Sequence, residues 1–420
     1  MTQSETREPD FEQLIVALST SPDTLNKITC HLQQQISQLN PSFITQSYRS
    51  ILTLEHWAWK LFSQKSHQWL KQQNCFELIQ TLALFNRNLI FNSDSITVDE
   101  KVALLIPDTT DWIQSVLEQI EISNDEDDPY MSIVGLWLDN LSYFLQNNPQ
   151  FDVKPTINYI GHYMGSHFLM TDQFIYYLDR FQQSQGSQSI ITAKQLFYLK
   201  TCSFFLNSYF LLKIEEFSYT PDQMLKHVGE NYLQIMHSYA QTIESWNESI
   251  LTIITHLITL VGTCCWWDES KKWEMKILFP SEQKFCDHAQ ALIRIVSYKP
   301  FYSHIAVQRS NDETILLDST LLLLIRSIQT NECNWFFRSM GQLPDTLLTI
   351  AETSVYNKLC LIAYGILGEI LTDEQLRDLR IIDSVGEYFF SMLENAWHNP
   401  SKKCQQIPIP YFLRGKFIAE

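Results

Sequence analysis

Glycine is scarce in this chain: eleven in 420 residues, well below the usual share of about 7%. Nucleotide-binding α/β folds, barrels and β-sandwiches use glycine for tight turns and close backbone approach. So few glycines could not supply many such turns. Alternating strand patterns are nearly absent as well. The short signatures of common chemistries are also missing: no GxxxxGK[ST] phosphate loop, no GxGxxG after a strand, no GxSxG elbow and no HExxH zinc helix. Basic stripes are lacking too. With 47 acidic against 30 basic residues and a formal net charge of −17, a phosphate backbone would be repelled. Lys271-Lys272 and Lys402-Lys403 are isolated pairs that read as solvated helix ends, so no nucleic-acid partner is expected.

The nine cysteines are odd in number and scattered, and no CxxC occurs. Cys264 and Cys265 with Cys286 and His288 form the one cluster that resembles a zinc set. Adjacent cysteines on a helix diverge by about 100°, and the tight ligand spacing of zinc sites is missing. They read as buried thiols. The polar start Met1-Thr-Gln-Ser-Glu-Thr-Arg-Glu-Pro has no signal-peptide pattern, so a cytoplasmic address with reduced cysteines is expected. Asp125-Glu126-Asp127-Asp128 lacks the alternation and terminal Glu of an EF-hand loop. Asp128-Pro129 reads instead as an N-cap and first helical position. Gly161-His162-Tyr-Met-Gly165-Ser-His167 looks site-like, but histidines five apart on a helix sit about 140° apart. Its glycines suit close helix approach. Glu215-Glu216 and Asp172 lie on charged faces without a site around them. No catalytic, cofactor-binding or metal-binding residue is assigned, and no enzymatic activity is expected.

What the chain does have is helix punctuation. Ser21-Pro22, Asp128-Pro129 and Thr220-Pro221 each put a capping side chain before a proline at the first helical position. After Pro22, apolar residues recur at Leu25, Ile28, Leu32, Ile36 and Leu39 until Asn40-Pro41. After Pro129 they recur at Ile133, Val134, Trp137, Leu138, Leu141, Phe144 and Leu145. Thr372-Asp-Glu-Gln375 has capping-box form and opens a short helix through Leu376 and Leu379. A longer one follows across Val385, Tyr388, Phe389, Met392 and Leu393. The 3.6-residue period runs from about residue 10 to 398, enough for roughly 14 to 18 helices.

Ser249 to Trp267 is nineteen residues without a charge, long enough to cross a membrane. Ile250, Ile253, Ile254, Leu257, Val261, Cys264 and Cys265 face one way and Thr252, Thr255, His256, Thr259 and Thr263 the other. That pattern describes an amphipathic helix enclosed by neighbours rather than a span. Aromatic pairs such as Trp266-Trp267 and Trp335-Phe336-Phe337 read as core.

One stretch carries a resemblance. From about Leu359 to Lys416 the chain reads Leu-Cys-Leu-Ile-Ala-Tyr-Gly-Ile-Leu-Gly-Glu-Ile-Leu-Thr-Asp-Glu-Gln, then Glu387-Tyr-Phe-Phe, Leu393-Glu-Asn-Ala-Trp397-His-Asn-Pro400-Ser-Lys-Lys and Gln406-Ile-Pro-Ile-Pro-Tyr-Phe-Leu-Arg-Gly415. It resembles the armadillo-like helical region that precedes TIR domains in a large group of invertebrate proteins. The resemblance is mainly within 359–416, and no alternating β/α TIR unit is present in the 420 residues. It implies packing and turn residues, with no catalytic role to transfer.

The expected fold is all-α, an armadillo/HEAT-like α-solenoid of stacked helix pairs and triplets. A flexible tail at 1–9 precedes one array over 10–420, with irregular breaks at 182–189, 268–280 and 298–312. The expected function is a protein-interaction scaffold that takes a protein or peptide in the solenoid groove, without cofactor, metal or membrane. The alternative is the regulatory arm of a TIR-type signalling or NAD-cleaving protein. An apolar end near Phe390, Trp397 and Phe412 is expected to drive self-association.

Overall fold

Proline loses nothing at the first position of a helix, because its missing N–H has no intrahelical partner there. Three of the longer helices begin on one, at Pro22, Pro41 and Pro221. The computed structural model describes residues 22–38, 41–64, 75–92, 131–137, 172–184, 191–204, 221–266, 278–302, 312–330 and 341–381, with a few isolated positions besides. Of the described residues, 90% are helical and none lies in a strand. The chain is all-α in this sense.

The helices are α1 (Pro22–Gln38), α2 (Pro41–Gln64), α3 (Cys75–Asn92), α4 (Asp172–Gln183), α5 (Ala193–Phe197), α6 (Pro221–Gln241), α7 (Glu248–Trp266), α8 (Glu282–Ser297), α9 (Lys299–Tyr302), α10 (Asp312–Thr330), α11 (Leu343–Thr353), α12 (Asn357–Ile370) and α13 (Asp373–Asp378). Residues 131–137 add a further helical stretch. The Asn40-Pro41 step does more than stop α1, since Pro41 also opens α2. Between 298 and 312, where a longer loop is expected, α9 supplies one helical turn. The 1–9 tail, the 125–129 cap, the Gly161–His167 patch, Lys271-Lys272, Trp335 and the C-terminal apolar end lie outside the described residues.

The chain divides into two compact units, Met1–Phe174 with Ile190–Glu215 and Ile175–Ser189 with Glu216–Glu420. In the first, α1 packs on α3. The expected stripe of α1 is buried at Leu25, Ile28 and Leu32, and α2 buries Ile51, Leu54 and Ala58 at helical spacing. Two polar bonds cross this core. Asn86 Nδ2 on α3 donates to Glu55 Oε2 on α2 at 2.9 Å, and Asn140 Nδ2 donates to the Ala83 carbonyl at 2.9 Å. Just after α5 the helix widens into one π turn, Tyr198–Cys202. Gly135 lies against it, and a Cβ there would meet Thr201 Oγ1 at 3.9 Å and Phe197 Cδ2 at 4.0 Å.

In the second unit the neighbours are ordered. Helix α6 packs on α8 and α8 on α11, while α7 packs on α10 and α10 on α12. Cross contacts join α6 with α7, α8 with α10 and α11 with α12. On α7 no described position from Ser249 to Cys265 is exposed. Helix α7 is also the one described helix long and apolar enough to cross a membrane, and 56% of that window is buried within the protein. Its buried Thr255 and half-buried Thr259 are satisfied locally. Thr255 Oγ1 donates to the Leu251 carbonyl at 2.8 Å, and Thr259 Oγ1 donates to the Thr255 carbonyl and meets Ser319 Oγ on α10 at 2.8 Å. Gly365 on α12 lets α10 close in, since a Cβ there would sit 3.0 Å from Ile325 Cδ1. The capping box of α13 forms as its residues dictate. Thr372 Oγ1 accepts from the Gln375 amide, and Gln375 Oε1 accepts from the Thr372 amide at 3.0 Å. Arg380 ends this segment at φ 52°, a left-handed conformation that usually favours glycine.

Candidate functional site

The residues of the zinc-like set do not converge. Cys264 and His288 are buried, while Cys265 and Cys286 are half-buried. Among the described residues no group of three or more His, Cys, Asp or Glu side chains is placed to hold a metal. His288 turns instead to α6, where its Nε2 lies 2.8 Å from the Tyr232 hydroxyl. Phe279 stacks beside the imidazole with ring centroids 5.0 Å apart, and Phe285 and Phe337 extend the aromatic layer. Phe337, from the aromatic run read as core, is fully buried.

Burial explains the electrostatics of this pair. Removing an imidazolium from water disfavours its charge, and burial lowers the His288 pKa to about 3. It is therefore a neutral ring at physiological pH. Burial first, and then a Cys265 thiolate charge, push the Tyr232 hydroxyl well above its ordinary value. Neither group titrates where a general acid or base would work. The pair acts as a fastener between α6 and α8.

Directly over that seam the two helices leave a shallow cleft. Helices whose apolar residues face inward expose a polar stripe on the far side. On α6 the exposed stripe is Glu230, Gln234, His237 and Gln241. On α8 it is Gln283, Asp287, Gln290 and Arg294, with Asp287 half-buried. Each runs at i, i+4, i+7 and i+11. Where the stripes meet, His237, Gln241, Asp287, Gln290 and Arg294 form the walls, and the buried Ala240 and Ala291 form the floor. Two methyl floors keep the helices close and the cleft shallow. Its cavity volume is about 30 Å³, far below the roughly 300–1,000 Å³ of small-molecule sites. It has room for little more than a water molecule.

Most polar groups around the cleft are already engaged. Asp287 Oδ1 accepts from Gln283 Nε2 at 2.8 Å, and Gln241 Nε2 lies 3.0 Å from His237 Nε2. Glu230 pairs with Lys284 at 3.5 Å. On the other side of α6, Asn231 Nδ2 donates to Asp179 Oδ1 on α4 at 2.6 Å, and Gln182 bonds Gln234. Arg294 differs. It is exposed and makes no hydrogen bond or ion pair among the described residues.

Sequence reasoning did not single out the cleft residues. Their spacing was visible as two polar stripes, but nothing local says that stripes from 230–241 and 283–294 lie side by side. Of the paired carboxylates, Asp172 opens α4, and Glu215-Glu216 lie outside the described residues. Comparisons with family models, with curated proteins and with solved structures found no match for this chain.

Proposed function

We propose that this chain is a protein-interaction scaffold built as an armadillo- or HEAT-like stack, without catalysis of its own. The observation that carries the reading is the order of helix neighbours in the second unit. One row runs α6, α8, α11 and the other α7, α10, α12, with each rung joined across. Helix pairs repeated in this way cannot bury an apolar face alone and extend by stacking. Surfaces of such arrays bind helices or extended peptides, and the adjoining polar stripes of α6 and α8 offer one such surface. The buried Cys75 and Cys202, whose thiols burial pushes up, suit a reducing cytoplasmic setting.

Affinity capture with quantitative mass spectrometry tests this reading. The wild-type chain is compared with a variant carrying His237→Glu, Gln241→Glu and Gln290→Glu. Partners lost from the variant support it, whereas identical partner sets remove the cleft from the proposal. Solution scattering tests the stacking. A globule of this length has a radius of gyration of about 22 Å, so a clearly larger value is expected and a value near that figure counts against a solenoid. A second reading rests on the 359–416 resemblance and makes the array the sensing arm of a TIR-type signalling or NAD-cleaving protein. Transcript sequence beyond the codon for Glu420 tests that arm, which needs alternating β/α patterning there.

A further inference from the structure

We infer that a single buried water bridges the amide oxygens of Asn86 and Asn140 in the core of the first unit, closing a polar chain that runs from Glu55 to the Ala83 carbonyl. This does not depend on the scaffold reading. Its ground is a pair of acceptors without donors. Asn86 and Asn140 are 2% and 1% exposed, and the Oδ1 atom of each is shut off from solvent with no partner among the described residues. Leaving a buried acceptor unbonded is costly, and native cores bond nearly all of them to protein or to ordered water. Neither amide can turn round to satisfy itself. Asn86 Nδ2 donates to Glu55 Oε2 at 2.9 Å, and Asn140 Nδ2 donates to the Ala83 carbonyl at 2.9 Å. A flip would set Oδ1 against the buried Glu55 carboxylate in the first case and against the Ala83 carbonyl in the second, acceptor on acceptor. Both oxygens therefore face away from the groups that hold their nitrogens.

Helix geometry brings the two amides to one place. An Asn side chain in a helix reaches the carbonyls three and four residues before it, and Asn86 stands three residues after Ala83 on α3. The carbonyl that Asn140 binds is thus the one beneath the Asn86 side chain. Two neutral acceptors meeting there call for a molecule with two donors and no charge. Ala83, itself buried, presents only a methyl group beside them. Water is the smallest molecule with two donors, and buried waters typically make about three bonds to polar groups that would otherwise go without. Glu55, Asn86, the water, Asn140 and the Ala83 carbonyl then form one chain across three helices. In a low-dielectric core such bonds strengthen one another.

A high-resolution crystal structure of the full chain tests the inference directly. One ordered peak within about 2.7–3.2 Å of both Oδ1 atoms is expected. A protein donor in that place, no peak at all, or a peak that is replaced by a heavy ion when the crystal is soaked in rubidium chloride would each overturn it. A double-mutant cycle in urea gives a second reading in solution, with Asn86→Leu, Asn140→Leu and both together. A shared water makes the two changes non-additive, because either one alone strands the other amide oxygen. Asn140→Leu should lower the folding equilibrium constant about tenfold more in the wild-type background than in the Asn86→Leu background. Equal falls in the two backgrounds would overturn the bridge. Should Asn140→Leu fail to fold, Asn140→Ser, too short to hold both the Ala83 carbonyl and the water, takes its place in the cycle.

Discussion

The two units handle buried polarity with different emphasis. In the first, buried amides bond across helices, Asn86 to Glu55 and Asn140 to the Ala83 carbonyl, 31 and 57 residues apart in the chain, while Thr29 turns back on the Leu25 carbonyl. The amide oxygens of Asn86 and Asn140, and the hydroxyls of Thr201 and Ser203, are buried without partners among the described residues. In the second unit, buried hydroxyls mostly turn back on their own helix. Thr255, Thr320 and Ser327 donate to carbonyls four residues earlier, and the phenols of Tyr232 and Tyr239 make buried bonds between helices, to His288 and to the Phe181 carbonyl. The difference teaches where specificity resides. A cross-helix bond in a low-dielectric core fixes which helices pair and is costly to break. A hydroxyl satisfied within its own turn leaves the neighbour free to be chosen by apolar shape alone.

Four measurements can break or sharpen that contrast. Asn86→Leu should have the largest effect, because it withdraws a donor from the buried Glu55 carboxylate. A loss of about 3 kcal/mol in urea unfolding is expected, and a loss under about 1 kcal/mol would erase the distinction between the units. Acid comes next. The folded state holds His288 neutral down to about pH 3, while the unfolded ring takes a proton below its ordinary 6.5. The unfolded state therefore binds more protons between those values. Stability from this group is complete above pH 6.5 and falls by about 1.4 kcal/mol per unit below it. At pH 4.5 the wild type should have lost about 2 to 3 kcal/mol more than His288→Asn, measured as the difference between their pH profiles. Equal profiles would mean that the ring is not held neutral.

Tyr232→Phe should follow, at about 1 to 2 kcal/mol, since it strips His288 Nε2 of its partner while keeping the aromatic packing. Thr320→Val is expected to be smallest, within about 0.5 kcal/mol of wild type, although Thr320 is completely buried. Its hydroxyl bonds a carbonyl that the helix already uses. A large loss there would show that the second unit also depends on directional bonds between helices.

Local chemistry was the readable part of this chain. Pro22 and Pro221 open helices where their capping dipeptides say they should, and Thr372 with Gln375 makes both bonds of the capping box. These signals need only three or four neighbouring residues. The enclosed state of α7 was also readable, because its threonines share one face. The cross-helix amides and the cleft were not. Asn86 and Arg294 look like ordinary surface residues in sequence, and only the pairing of distant helices buries the first and brings a second polar stripe beside the other. Even the zinc-like cluster illustrates the limit. Cys286 and His288 sit two residues apart on α8, which sends them to different sides, and His288 found a tyrosine 56 residues away.

The π turn at Tyr198–Cys202 is in effect a phase slip. One residue more than an α-helix needs is accommodated in a single turn, and everything after it is rotated by about 100° relative to everything before. Phe197 and Tyr198 on one side of the slip and Cys202, Phe204 and Leu206 on the other are all buried. The segment is buried on nearly all sides, so the extra residue sets which neighbour each side chain meets. Deleting any one residue from this turn would restore a regular helix and swing the downstream hydrophobes away from their seats. An insertion or deletion is ordinarily best tolerated in a loop. Here the extra residue sits inside a helix, and single-residue deletion scanning should find this turn less forgiving than any substitution at the same positions.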